Sequence, residues 1–253
     1  MQFEGQSILV GALLFVGMII LAELSARRAR AEAGPEASTG GGVVESSLFA
    51  LLGLLLAFSF TGASSRLDHR RDLVVSEANA LGTAALRLDL LPDPTLARQA
   101  MSGYIQTRLD YGAALSSQGD LAKAWKTTQL AQEELWKTVL ISADSTKVDQ
   151  VEVLVLPPIN EAFDLASERH VMTQVHLPWP VDALLAILSL LCAWIGGRAL
   201  HSKAWPAVLI RCSLALVVSL TLLLVKDLDH PRLGFIRVDS SDQLLREVKD
   251  SLD

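Results

Sequence analysis

Cysteine is scarce in this chain, whose 253 residues include only Cys192 and Cys212. Both lie in apolar segments, where a free thiol fills space as a small apolar side chain does. Two cysteines in such positions argue against a disulfide-stabilised domain.

An excess of positive charge is also missing. The formal net charge is -6, and acidic and basic residues are mixed outside the apolar segments. Without a basic stripe, the chain has no surface suited to the phosphates of nucleic acid. We therefore expect no nucleic-acid partner.

Motifs for catalysis and for metal binding are absent from the sequence. There is no glycine-rich nucleotide loop, no Gly-x-Ser-x-Gly elbow and no His-x-x-x-His pair, and the five histidines are scattered. Four acidic residues follow the last apolar segment, but their order does not match an EF-hand loop, and we interpret them as a solvated surface: Asp227, Asp229, Asp239 and Asp242. We expect no enzyme activity, cofactor or metal site.

Hydrophobic residues are abundant, at 51% of the chain with a mean hydropathy of +0.36. A bilayer's hydrocarbon is about 30 Å thick, so a spanning helix needs roughly 20 mostly apolar residues. Four segments qualify, at about 5–24, 45–65, 181–198 and 205–225. The sequence predicts an all-α, multi-pass protein of the cell (inner) membrane, with lipid as its surroundings and four transmembrane helices arranged as two hairpins, 1–65 and 181–226.

Residues 66–180 carry charges throughout and predict a helical extramembrane domain inserted between spans 2 and 3. An apolar stripe without a helix breaker predicts that the second span continues as one helix to about Leu91, before Pro92 and Pro94. Further helices are expected over 95–117, 121–141 and 159–175, the last starting at the Pro157-Pro158 pair. In the polar tail, 227–253, a short amphipathic helix fits docking on the middle domain or on a neighbouring subunit.

One face of span 2 combines small and weakly polar side chains at helical spacing: Ser46, Ala50, Gly53, Ala57, Thr61 and Ser64. Such a face lets helices pack closely in lipid. Alternatively it lines a pore in an oligomer, with Phe49, Phe58 or Phe60 forming an apolar constriction that gates by dewetting.

Charged residues suggest two further sites. Arg211 lies roughly 9 Å inside the interfacial Trp205, at 1.5 Å per residue, and we predict that it pairs with Glu45, although its long stem also allows it to reach the headgroups. Polar residues on the two helices beside the membrane either hold the middle domain in place or line an ion vestibule: Glu77, Asn79, Arg87, Asp89, Asn160, Glu161, Asp164 and Arg169.

Several blocks of this sequence resemble the bestrophin-like family of bacterial membrane proteins. They are the run from Glu45 to Phe60, Arg70-Arg71, Glu77-Ala78-Asn79-Ala80, Asp89-Leu90-Leu91-Pro92, Asn160-Glu161 with Asp164 and Arg169, and Leu228-Asp229-His230-Pro231 with 234–238. The resemblance implies the four-span plan and kinship with bestrophins, which are pentameric anion channels lined by their second membrane helix. No equivalent of the bestrophin calcium clasp is found, so calcium gating is not implied.

The functional hypothesis is a homo-oligomeric channel for small inorganic ions, with anions favoured by the resemblance. The alternative is a membrane-anchored sensor or protein-interaction scaffold without transport activity. Basic residues in the short hairpin turns place the middle domain outside the cytoplasm: Arg27, Arg28, Arg30, Arg198 and Lys203. Kinship with bestrophins implies the opposite side.

Overall fold

The structure, a computed structural model, describes residues 2–32, 42–117, 119–144, 150–230 and 242–252. Within these ranges the chain forms eight α-helices and no strand. The helices are α1 (Gln2–Glu32), α2 (Gly42–Leu88), α3 (Thr95–Ser117), α4 (Leu121–Asp144), α5 (Gln150–Met172), α6 (Trp179–Ala199), α7 (Trp205–Asp229) and α8 (Asp242–Asp250).

Four of these helices, α1, α2, α6 and α7, are long and apolar enough to cross a membrane. Helices α6 and α7 begin in the same way, with an exposed tryptophan followed by a proline in the first turn, where the missing N–H costs no hydrogen bond. The prediction of an all-helical protein with four membrane-spanning helices is confirmed.

Helix α2 runs without a break for 47 residues. At 1.5 Å per residue this is about 70 Å, more than twice the thickness of the bilayer hydrocarbon. The chain leaves the helix through turn hydrogen bonds from the Leu90 and Leu91 amides to the carbonyls of Arg87 and Leu88. The predicted continuation of span 2 is therefore confirmed, with the end of the helix three residues earlier than expected.

The chain divides into two compact units, and the first contains Met1–Arg66 and His176–His230. In it α1 packs against α6 and α7. The core combines small and large apolar side chains from all four membrane helices, among them Met18, Ala22, Leu52, Leu188, Cys192 and Val218. Many large apolar side chains point outward instead, including Leu13, Ile187 and Val217, as lipid contact requires.

The second unit contains Leu67–Val175 and Pro231–Asp253. Its core joins the later part of α2 with α3, α4 and α5, through residues such as Leu81, Ile105, Leu135 and Ile159. Helix α8 contacts α3 and inserts the fully buried Leu245 into this core, so the amphipathic tail helix docks on the middle helices of its own chain.

Helix α5 begins at Gln150, so the predicted start at the Pro157-Pro158 pair is wrong: both prolines lie inside the helix. A proline at position 158 removes the N–H that would bond to the Leu154 carbonyl, four residues earlier. That carbonyl accepts a 2.7 Å hydrogen bond from the Arg87 guanidinium instead. Arg87, which is distant in sequence, therefore replaces the hydrogen bond lost at Pro158, and the helix continues through a proline that would ordinarily end it.

Candidate functional site

The small-residue face of α2 is turned away from the core of the first unit. Ser46, Ala50, Gly53, Ala57 and Thr61 are all exposed, and Ser64 is half-buried. A Cβ added at Gly53 would meet no atom within 4 Å. The opposite side of the helix makes the contacts, because Leu52, Ser59 and Ala63 are buried. Within the described part of the first unit, this face is therefore not used for helix packing.

The three phenylalanines of α2 differ in their surroundings. Phe49 packs on α6, since its Cζ lies 3.4 Å from the point where a Cβ at Gly196 would stand. Phe60 is 39% exposed and Phe58 is 65% exposed. At about 100° of rotation per residue, Phe60 flanks the small-residue face, whereas Phe58 lies on the neighbouring side with Leu51 and Leu54.

Arg211 is 7% exposed and has defined partners inside the first unit. One guanidinium nitrogen donates to the Leu200 carbonyl over 2.6 Å, and the other lies 3.3 Å from a carboxylate oxygen of Glu23. Glu23 also holds Arg27 at 3.1 Å and Arg30 at 2.9 Å. Among the described residues no ion pair joins Arg211 to Glu45, and the structure gives Arg211 a partner on α1 instead.

A second charge cluster is buried inside the second unit. Both carboxylate oxygens of the fully buried Glu77 accept from Arg108, at 2.5 and 3.2 Å, and one also accepts from Arg169. Arg169 in turn lies 3.9 Å from Asp242, the first residue of α8. Two positive and two negative side chains thus compensate one another where water is excluded.

Aromatic rings cover the other side of Arg108. Its guanidinium carbon lies 5.2 Å from the centre of the Tyr111 ring and 6.0 Å from that of Trp125. His170 stacks on Trp125 at 4.3 Å, and its Nδ1 is 2.8 Å from the Tyr111 hydroxyl. Burial lowers the pKa of His170, and the positive charge of Arg108 lowers it further.

The acidic residues after the last span are not a solvated surface, in contrast to the sequence-based interpretation. Asp227, Asp229 and Asp242 are buried, and Asp229 is only 1% exposed. Asp229 accepts from Arg66 and from the Leu177 amide, each over 2.7 Å. Asp239 lies outside the described residues. The sequence suggested exposure because several acidic residues follow the last apolar segment in a charged tail, and their partners in distant segments cannot be predicted from it.

Similarity to known proteins extends over nearly the whole chain. A family model described as the bestrophin-like domain matches residues 8–243. The chain belongs to the bestrophin-like family. As predicted from the sequence, it is an integral membrane protein. No curated protein sequence matches this bestrophin-like chain.

Crystal structures of a bacterial bestrophin homologue from Klebsiella pneumoniae have the same fold as this bestrophin-like chain. The structure phased with zinc gives a TM-score of 0.66 at 16% identity, covering 96% of this chain and 98% of that chain. One variant of the homologue gives a TM-score of 0.71 at 13% identity, covering 97% of this chain and 97% of that chain. A second variant gives a TM-score of 0.70 at 16% identity, covering 98% of this chain and 96% of that chain.

The structure brings together only part of the polar set predicted for this bestrophin-like chain. Glu77 and Arg169 meet in the buried cluster, whereas other members have partners outside it: Asp89 binds Arg98, Asn160 binds Asp164 at 3.0 Å and Arg87 binds the Leu154 carbonyl. Asn79 and Glu161 are exposed.

Sequence reasoning missed Arg108, the central cation of the buried cluster. Its position carried a signal, because Arg108 continues the buried α3 stripe of Met101, Tyr104 and Ile105 at spacings of three and four. A charged residue on an otherwise apolar face needs a partner of opposite charge.

Proposed function

We propose that this chain forms a homo-oligomeric channel for small inorganic ions in the cell (inner) membrane, with copies of α2 around the ion path. In this arrangement α1 with α2, and α6 with α7, are two membrane hairpins, and the middle helices form a domain outside the bilayer. The basic hairpin turns favour a position of this domain outside the cytoplasm. An anion preference is supported by the family resemblance.

The exposed small-residue face of α2 carries the proposal. A face of Gly, Ala, Ser and Thr that no described helix of the first unit covers is available to lipid, another subunit or water. Lipid contact suits large apolar side chains, which α2 presents on its neighbouring side through Leu51, Leu54 and Phe58. Small side chains instead allow close approach of a second helix, or leave room for a water-filled path.

Phe60 is the best candidate for a constriction, because it flanks this face and is partly exposed. Phe60 rings from several subunits at one level would form an apolar constriction. Such a constriction blocks ions when it loses its water, which is gating by dewetting. Phe49 is less suited, since α6 holds its ring.

The predicted polar set then divides by role. The buried Glu77 and Arg169 hold the helices of the second unit together with Arg108 and Asp242, because the two positive and two negative charges of this cluster compensate one another. The exposed Asn79, Glu161 and Asp164 are the members that we assign to an ion vestibule.

Flux through purified protein in liposomes tests this function. We expect chloride flux above that of empty vesicles, and Gly53→Leu should remove most of it because the added side chain fills the path. Leu54→Ile, one residue further on the lipid-facing side, is the matched control and should leave the flux unchanged. Well-folded protein that is monomeric in detergent and passes neither chloride nor alkali cations would support the scaffold alternative.

A further inference from the structure

Two histidines and a buried aspartate meet where α7 ends in the first unit. His176 lies between α5 and α6, and Asp229 and His230 lie at the end of α7. One ligand atom from each of the three lies within 4.8 Å of the others. The His176 Nδ1 is 3.9 Å from an oxygen of Asp229, and the two imidazole rings stack at 4.4 Å between their centres.

Hydrogen bonds from the surroundings hold Asp229 and His230 in place. Arg66 donates to Oδ1 of Asp229 and the Leu177 amide donates to Oδ2, each over 2.7 Å, and a carboxylate oxygen can accept more than one bond. The His230 Nδ1 is 3.2 Å from the Lys226 carbonyl. A proton on Nδ1 shared with that carbonyl directs Nε2 to a ligand, which is the usual support of a metal-binding histidine.

We propose that His176, Asp229 and His230 bind a divalent transition-metal ion of the Zn²⁺ type. Two imidazole nitrogens and one carboxylate oxygen form a donor set that suits zinc, with water as a fourth ligand, whereas calcium and magnesium take oxygen ligands almost alone. Zinc bonds of about 2.0–2.1 Å require neighbouring ligand atoms roughly 3.3 Å apart in a tetrahedron. His176, which is exposed and lies outside any helix, makes this adjustment by turning its ring toward Asp229.

Arg66 sets a limit on the affinity of this site. Its guanidinium stays on Oδ1 while the metal takes Oδ2, so a positive charge remains close to the bound ion. The three proposed ligands lie outside α2, and the metal binding that is measured does not require conduction.

Zinc titration of the full-length, tag-free protein in detergent tests the site after removal of metals with a chelator. We expect one Zn²⁺ per chain, and Co²⁺ should give the visible absorption of a four-coordinate ion. His176→Gln and His230→Gln should each weaken Zn²⁺ binding by at least about tenfold, since even supporting residues of metal sites change affinity by 10- to 100-fold. His201→Gln, an exposed histidine of the same unit, is the matched control and should leave the affinity unchanged.

Circular dichroism and elution volume check that each variant folds, and if His230→Gln does not, the exposed His176→Gln decides. Absence of Zn²⁺ binding would overturn the proposal, as would equal affinity in His176→Gln and the unchanged protein. Calcium binding that is indifferent to both histidines would also overturn it, because it would identify an oxygen site.

Discussion

At the scale of single residues, Glu77 depends on two arginines to remain charged inside the second unit. An isolated carboxylate buried there would lose its hydration and gain no hydrogen bond or opposite charge in exchange. Arg108 and Arg169 supply hydrogen bonds to both of its oxygens. Each arginine depends on Glu77 in the same way, so the loss of one member leaves the charges of the others uncompensated.

Replacing this carboxylate by an amide should therefore be costly. We expect Glu77→Gln to lower the free energy of unfolding by about 3 to 5 kcal/mol, because it leaves buried guanidinium groups without their anion. Denaturant unfolding in detergent, followed by circular dichroism, measures this. Glu161→Gln on the exposed side of α5 is the control and should stay within about 0.5 kcal/mol of the unchanged protein. Equal effects of the two substitutions would contradict the role of Glu77.

The partner of Arg211 can be tested by a double-mutant cycle in the first unit. Arg211 contacts Glu23 at 3.3 Å, so Glu23→Gln and Arg211→Gln should be non-additive, with a coupling of at least about 0.5 kcal/mol in unfolding experiments. The same cycle with Glu45→Gln serves as the control and should be additive. Coupling of Arg211 to Glu45 alone would restore the partner predicted from the sequence.

His170 makes the stability of the second unit depend on pH. Its pKa is lowered in the folded protein, so the unfolded chain takes up the proton first as the pH falls through the unfolded value of about 6.5, and stability is lost below it. Thermal unfolding should show a smaller fall in Tm between about pH 7.5 and about pH 5.5 for His170→Gln than for the unchanged protein. The exposed His201→Gln should retain the full fall, and an unchanged slope in His170→Gln would argue against this origin.

At the scale of elements, the sequence predicts the continuity of a helix better than the contacts that the helix makes with distant parts of the chain. The apolar stripe of α2 predicted one long helix, and no proline or glycine pair interrupts it before Pro92. The predicted start of α5 is wrong because the Leu154 carbonyl, which Pro158 leaves without its helical hydrogen bond, accepts one from the distant Arg87 side chain instead. The same limit explains why Asp229 was interpreted as solvated, since its partners Arg66 and Leu177 lie far away in the chain.

The contact between α1 and α6 depends on a glycine. A Cβ at Gly197 would lie 2.8 Å from the Cα of Ala22 and would also strike its carbonyl oxygen. We expect Gly197→Ala to destabilise the protein by about 1 to 3 kcal/mol, because the two helices must move apart. In Gly103→Ala the added methyl group meets nothing within 4 Å. We expect this variant to change the free energy of unfolding by only a few tenths of a kcal/mol, or to raise it through better helix propensity. Comparable losses in both variants would show that close packing is not the cause.

At the scale of the whole molecule, the sequence was sufficient for the helical class and the four membrane helices, because hydrocarbon thickness imposes a length and an apolar composition on each one. It also carried the family resemblance. It did not predict the cluster of Glu77, Arg108 and Arg169, whose members come from α2, α3 and α5 and meet only in the packed unit. Whether the small-residue face of α2 packs or conducts depends on neighbours outside the single chain.

Thiol modification during flux measurements tests the role of that face most directly. In protein whose Cys192 and Cys212 have been replaced by alanine, Ala57→Cys and Phe58→Cys place single thiols on neighbouring sides of α2, both exposed in the chain. A charged, water-soluble thiol reagent should stop most of the flux through Ala57→Cys and leave Phe58→Cys unaffected, because only position 57 faces the ion path. Block at position 58 alone, or at neither position while the unmodified protein conducts, would contradict the arrangement of α2 around the path.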